Sequence, residues 1–312
     1  MENKPFVNQN DRISYYFVCL LDILGQKEQL KKWEQLRPDG TITPEMREGL
    51  QNSLRRVLDL RKDFSELFKS AESGSQQSLL RQLIALNLQT GPERDRYTAL
   101  FACNPKLLHF SDMLVAYSPA AAGPANDWNI VALYRMLGSL CSLIPSFLAR
   151  GIPIRGGVCL GTAVEAEGVG FYGPALAEAH HLESKVAGYP RIVVSQRLAD
   201  FIRSQPPENN DAADQHIRCG FTLCQSMIVD DSDGCTVVHY LGNDSRNLLA
   251  GSQTLAQVQS QAVAKAAEFV AGECGRLTLA AKAKPSEATV KLAKRYSDLH
   301  DYFQKYKAIW TA

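Results

Sequence analysis

Tyr15-Tyr16-Phe17-Val18-Cys19-Leu20-Leu21-Asp22-Ile23-Leu24-Gly25 is the stretch on which the fold turns. From Tyr15 to Leu21 every residue is apolar or β-prone, with no polar alternation, as in a strand buried on both faces. The run stops at Asp22. A carboxylate at the edge of a hydrophobic segment must be hydrated, paired or bound to a cation, because burying it bare is costly. Capping a following helix is the ordinary role of an aspartate in such a place.

Outward from this strand, the sequence is polar and helical from Gln26 to Leu36, then amphipathic from Pro44 to Lys69. Leu50, Leu54, Val57, Leu58 and Leu60 to Phe64 mark the apolar stripe, and Pro44 sits where a missing N–H costs little. Ala71 to Ser78, rich in Gly, Ser and Gln, reads as a break before a further helical piece from Leu79 to Leu88. Gly91-Pro92 then interrupts the pattern. Lys106 to Tyr117 predicts a tight hairpin, with strands Leu107 to Phe110 and Met113 to Tyr117 around Ser111-Asp112. Ser-Asp is not a favoured type I′ pair, so something besides turn propensity holds an aspartate there.

An apolar helix is expected from about Asn126 to Arg150, and a strand from Ile152 to Val164 containing Gly156-Gly157 and Gly161. Gly173-Pro174 opens a helix to about Ala187, Arg191 to Ser195 is a short strand, and Pro206 to Asp214 a loop. Strands follow around Phe221 to Val229 and Thr236 to Leu241, joined by the turn-rich Asp230 to Gly234. From Ser252 onward the pattern is helical, divided by Pro285-Ser286. This order predicts an α/β (α+β) sandwich with a mixed sheet. One domain spans 13–245 with a helical insert at about 27–105, and 252–312 forms a C-terminal helical extension.

The 34 basic and 33 acidic residues nearly cancel, so no global positive field gathers nucleic acid. The eight cysteines are scattered without CxxC spacing. Cys19, Cys141 and Cys159 fall in apolar runs, which reads as a reducing compartment. The start of the chain is no signal peptide, and Tyr15 to Leu21 is too short to span a bilayer. The expectation is a cytoplasmic protein with no membrane and no nucleic-acid partner.

Asp22 and Asp112 gain meaning together. If the first strand and the hairpin are neighbours in one sheet, their ends bring two carboxylates close. Such a pair can hold two divalent cations about 4 Å apart for phosphoryl transfer. The turn Ile23-Leu24-Gly25-Gln26 is expected to enter a helix whose N–H groups could bind phosphate oxygens. Glu178 and Glu183 read as helix-contact residues, and Lys282, Lys284, Lys291 and Lys294 as a solvated face.

The segments FVCLLDILG (17–25), LLHFSDMLVAY (107–117), IPIRGGVCLGTAV (152–164) and GVGFYGPALAEAHHLES (168–184) stand in an order that resembles class III nucleotidyl cyclases. GPALAEAHHLES, AGYPRIVVS (187–195) and DSDGCTVVHYL (231–241) resemble more narrowly the pyrimidine cyclases of the Pycsar anti-phage systems. The resemblance covers about 13–245, with 27–105 matched only in helical character. It implies a homodimer with composite sites and two divalent ions, Mn²⁺ or Mg²⁺, on Asp22, Asp112 and the Ile23 main-chain carbonyl. It also implies a nucleoside triphosphate substrate and a separate effector sensing the cyclic product. Ile23, Leu24, Gly25, Gln26, Leu108 and Gly170 are the implied substrate-binding positions.

Departures narrow the reading. The Lys and Asp with which purine cyclases read the base fall at Leu108 and Gly170, whose side chains offer no such hydrogen bonds. The transition-state Asn and Arg fall at Ala177 and His181. His181 could substitute when protonated, or be a plain surface histidine. Arg155, Lys185 and Arg191 are cations that could meet the triphosphate, with a structural role open for Arg155. The expected reaction is UTP, with CTP as second choice, to its 3′,5′-cyclic monophosphate (cUMP or cCMP) and pyrophosphate. The rivals are a cyclase-like regulatory module that binds nucleotide without turnover and a purely structural partner-binding domain.

Overall fold

The run first read from Tyr15 is the middle of a longer strand, β1 (Ile13–Ile23), at the heart of a mixed sheet. The structure, a computed structural model, describes residues 13–25, 42–85, 90–102, 105–123, 126–166, 170–204, 212–247 and 253–311. The expected helix from Gln26 to Leu36 lies outside them.

β1 lacks polar alternation because both of its faces are covered. Phe17, Cys19, Leu21 and Ile23 point into the main core, while Tyr16, Val18 and Leu20 join a second apolar cluster on the opposite, outer face. The strands beside it are β2 (Lys106–Phe110), β3 (Met113–Pro119) and the long β6 (Ile154–Ala166). Two short strands, β4 (Ala121–Ala122) and β5 (Asp127–Trp128), form a separate small sheet. β7 (Gly170–Tyr172) pairs with the far end of β6. β8 (Ile192–Val194), β9 (Ile228–Asp230) and β10 (Thr236–Val238) complete the order β2-β3-β1-β6-β8-β10-β9. Only the β6–β8 pairing is parallel. The fold is therefore mixed α/β, with an eight-stranded mixed sheet.

The inner face packs on the apolar helix Ile130–Leu148, whose first turn is capped by Asn129 accepting the Ala132 N–H. This helix is long and apolar enough to cross a bilayer, yet 83% of its apolar window is buried inside the fold. It is the core helix. The C-terminal helices Gln253–Ala283 and Glu287–Tyr306 divide at Pro285-Ser286 as expected, and Ser286 builds a capping box with Thr289. Val263, Ala266, Val270, Leu299 and Phe303 from these helices share the main core.

Three expectations about elements need correction. The stretch from Pro44 runs unbroken as one helix to Ala85. A lone interior glycine such as Gly74 costs about 1 kcal/mol, which is a weakness and not a stop. Its buried stripe is Ser53, Val57, Leu60 and Phe64, while Leu50, Leu54 and Leu58 face solvent. Gly91-Pro92 begins a new helix, Pro92–Phe101, with proline in its first turn. Phe221 to Ser226 is helical, inside Ala212–Ser226, and the strand is only Ile228–Asp230. Ala213, Ile217, Phe221 and Cys224 are buried at helical spacing, so burial of that stripe overrides local β-propensity.

Candidate active site

Asp22 is the last residue of β1 to point to the outer face before the strand ends. Its register partners are Met113 on β3 and Arg155 on β6. Asp112 immediately precedes Met113, in the two-residue turn between β2 and β3, so sheet pairing brings the strand-end and hairpin-tip carboxylates to one edge. Ser111 adopts φ 49° while Asp112 does not share a positive φ. That sign pattern belongs to type II′ turns, where glycine is usual at the first central position. Arg61, from the helix Pro44–Ala85, donates from Nη2 to the Ser111 carbonyl at 3.3 Å and braces the turn.

Arg155 lies between two carboxylates. Its Nη2 donates to Asp22 Oδ2 at 3.2 Å. Its Nε stands 2.6 Å from Glu183 Oε1, close in distance but not aligned as a hydrogen bond. Glu183 is 2% exposed. It sits on a π-helical turn, Leu182–Ala187, that continues the helix α4 (Pro174–His181) across the outer face. Such π turns recur at functional sites.

Glycines set this approach. A Cβ on Gly157 would fall 2.5 Å from both the Ala179 carbonyl oxygen and Leu182 Cβ, and one on Gly161 would meet Ala175 Cβ at 3.1 Å. Only bare backbone on β6 lets α4 and its π turn come down far enough to bury Glu183 beside Arg155.

The electrostatics follow. The Asp22 carboxyl is pushed up to about 7, first by burial and then by the charge of Glu183. Arg155 opposes the rise, and Asp112 adds to it. Asp22 and Glu183 thus share one guanidinium, with the charge of Asp112 acting on Asp22 besides, an arrangement that favours an added cation.

The other expected positions fare differently. Ile23 buries its side chain in the main core, which leaves its main chain alone for ligation. The Leu24 N–H already donates to the Pro153 carbonyl at 2.9 Å, and Leu24-Gly25 form a turn. The expected use of the Leu24 N–H for phosphate therefore fails, because β1 closes on the β6 lead-in. Gly25 has φ 86° and open space around its Cα; Gln26 lies outside the described residues. Leu108 packs with the outer-face cluster next to Val115.

Gly170 pairs with Ala166, whereas Asp22 pairs with Arg155, so Gly170 is about 36 Å along β6 from the carboxylates of the same chain. Ala177, His181 and Lys185 are exposed, along α4 and its π turn.

Arg191 is not a free cation. It is buried and ion-paired to Asp231 at 2.6 Å and to Asp233. It also donates to the Ala187 and Val186 carbonyls and stacks on Tyr189. The expectation that it meets a triphosphate is corrected: the DSDG segment is its clasp. Glu183, read as a helix-contact residue, is buried beside Arg155 on the neighbouring strand. Its only sequence signal is a carboxylate on the helix that must cross Gly156-Gly157.

Among the described residues no three His, Cys, Asp or Glu side chains stand ready to hold a metal by themselves. Hard ions such as Mg²⁺ commonly take one or two carboxylates and draw their other ligands from water and phosphate. Asp22 and Asp112, oxygen donors at one edge with excess negative charge behind them, fit that donor set. No protein-family model matches the chain, and no curated protein matches it.

Proposed function

We propose that the protein is a cytoplasmic pyrimidine nucleotide cyclase. It would convert UTP, or CTP as second choice, to the 3′,5′-cyclic monophosphate and pyrophosphate, as a homodimer feeding a separate effector in anti-phage defence. The observation that carries the reading is the β1–β3 register, which sets Asp22 and Asp112 at one sheet edge. When bound there, Mn²⁺ or Mg²⁺ would acidify the ribose 3′-OH and neutralise the triphosphate. Asp22, Asp112 and the Ile23 carbonyl would hold the ions. Arg155, beside Asp22, is placed to meet phosphate charge. Leu108 presents only an apolar surface where purine cyclases offer a lysine, which fits a smaller base read by other groups.

The test is pyrophosphate release from each triphosphate with Mn²⁺. Replacing Asp22 or Asp112 by Ala is expected to lower the rate at least about a thousandfold, the scale on which electrostatic stabilisation of phosphoryl transfer operates. An unchanged rate in either variant would remove the metal reading. A nucleotide-binding module without turnover draws on Ala177 and His181, which stand exposed where a cyclase would need an Asn and an Arg. Tight triphosphate binding without pyrophosphate release would favour it.

A further inference from the structure

We infer that Glu183 is a positioning residue: it draws Arg155 toward the π turn and so limits how strongly that guanidinium competes with a divalent cation for Asp22. The inference rests on the reading of Asp22 as a metal ligand.

The geometry is unequal in the required sense. Arg155 stands 2.6 Å from Glu183 through Nε and 3.2 Å from Asp22 through Nη2. A guanidinium is a rigid planar fork, and its strongest contact with a carboxylate is bidentate. Held by Glu183 along its Nε edge, Arg155 offers Asp22 a single long hydrogen bond. Without the Glu183 charge, Arg155 loses its closer carboxylate and can turn onto Asp22, and a cation would then have to displace a stronger pair.

Glu183 is poorly placed to be a metal ligand itself. Its side chain is 3% exposed beneath the π turn, whereas Asp22 is 16% exposed and Asp112 is partly open at the hairpin tip. The close seat depends on Gly157, where any Cβ would strike Ala179 and Leu182. Glu183 therefore bears on the ions from behind, through Asp22 and Arg155.

The experiment measures Mn²⁺ binding to the full chain by electron paramagnetic resonance, without nucleotide. The proteins are wild type, Glu183→Gln, Arg155→Met, the double variant and Asp22→Asn. Contacting charged residues couple strongly enough to expect about a tenfold weakening in Glu183→Gln. Arg155→Met is expected to bind several-fold tighter than wild type. In the double variant the Glu183 effect should vanish, leaving affinity equal to Arg155→Met. An equal weakening by Glu183→Gln in both backgrounds would show Glu183 acting without Arg155 and overturn the inference, as would no weakening in the wild-type background. Failure of the metal reading is separate and visible as Asp22→Asn binding Mn²⁺ like wild type. If Glu183→Gln does not fold, Glu183→Asp keeps the charge but retracts it, and the same cancellation by Arg155→Met is required.

Discussion

Arg155 on β6 and Arg191 just ahead of the neighbouring β8 are used in opposite ways. Arg191 is closed on every side by Asp231, Asp233, Tyr189 and two carbonyls, and its hydrogen bond holds the Asp233 carboxyl down at about 2. Breaking a buried pair leaves an uncompensated charge and costs about 3–5 kcal/mol. Because Asp233 is half exposed, Arg191→Met is expected at the lower end, about 3 kcal/mol in urea unfolding, with Mn²⁺ binding by the folded protein unchanged. A loss under about 0.5 kcal/mol would contradict the clasp.

His239 gives a pH signature. Tyr302 Oη accepts the Leu241 N–H at 3.1 Å and shares a hydrogen bond with His239 Nδ1 at 2.9 Å. Burial, with help from Lys305, lowers the histidine to about 4. The unfolded chain therefore takes up this proton first, and stability present above about pH 6.5 is lost as pH falls toward 4. The expected share is about 2 kcal/mol after allowance for partial exposure. Unfolding of His239→Asn at pH 7 and pH 4 should show a pH dependence smaller by that amount; an equal dependence would contradict it. Asp22 and Asp112 were legible in the sequence because each interrupts an apolar run. Glu183 was not, since its weight comes from burial against a strand distant in the chain.

At the scale of elements, the site depends on how closely α4 lies on β6. Gly157→Ala forces a methyl against backbone at 2.5 Å, whereas Gly161→Ala meets the Ala175 Cβ and Cα at 3.1 and 3.2 Å. Overpacking of this kind costs about 1–3 kcal/mol, so Gly157→Ala is expected near the top of that range and Gly161→Ala near the bottom. Equal thermal melting of the two variants would contradict this packing. The elements bearing chemistry were readable, because β1 is uninterrupted apolar sequence and the hairpin turn is short. The helix Ala212–Ser226 was misread in part, since Phe221 to Cys224 is β-prone locally and helical only through a stripe that begins at Ala213. The unbroken helix Pro44–Ala85 was hidden by a polar stretch that tolerates helix without announcing it.

Across the whole molecule, one mixed sheet carries apolar clusters on both faces, and the C-terminal helices are built into the inner one. The element order suggested a mixed sheet, but not the crossing from β6 to β8 by a parallel pairing, which depends on α4 and its π turn covering the outer face. Residues 13–245 therefore do not account for the core alone, because Val270 and Phe303 fill it too. On the proposed function, this scaffold holds Asp22 and Asp112 at one edge for pyrimidine nucleotide cyclisation. The direct measurement is mass spectrometry of the products formed by the full chain with Mn²⁺ and an equimolar mixture of ATP, GTP, CTP and UTP. The account predicts cyclic UMP, or cyclic CMP, with pyrophosphate, absent from Asp22→Ala and Asp112→Ala. Cyclic AMP or GMP as the main product, or no cyclic nucleotide at all, would contradict it.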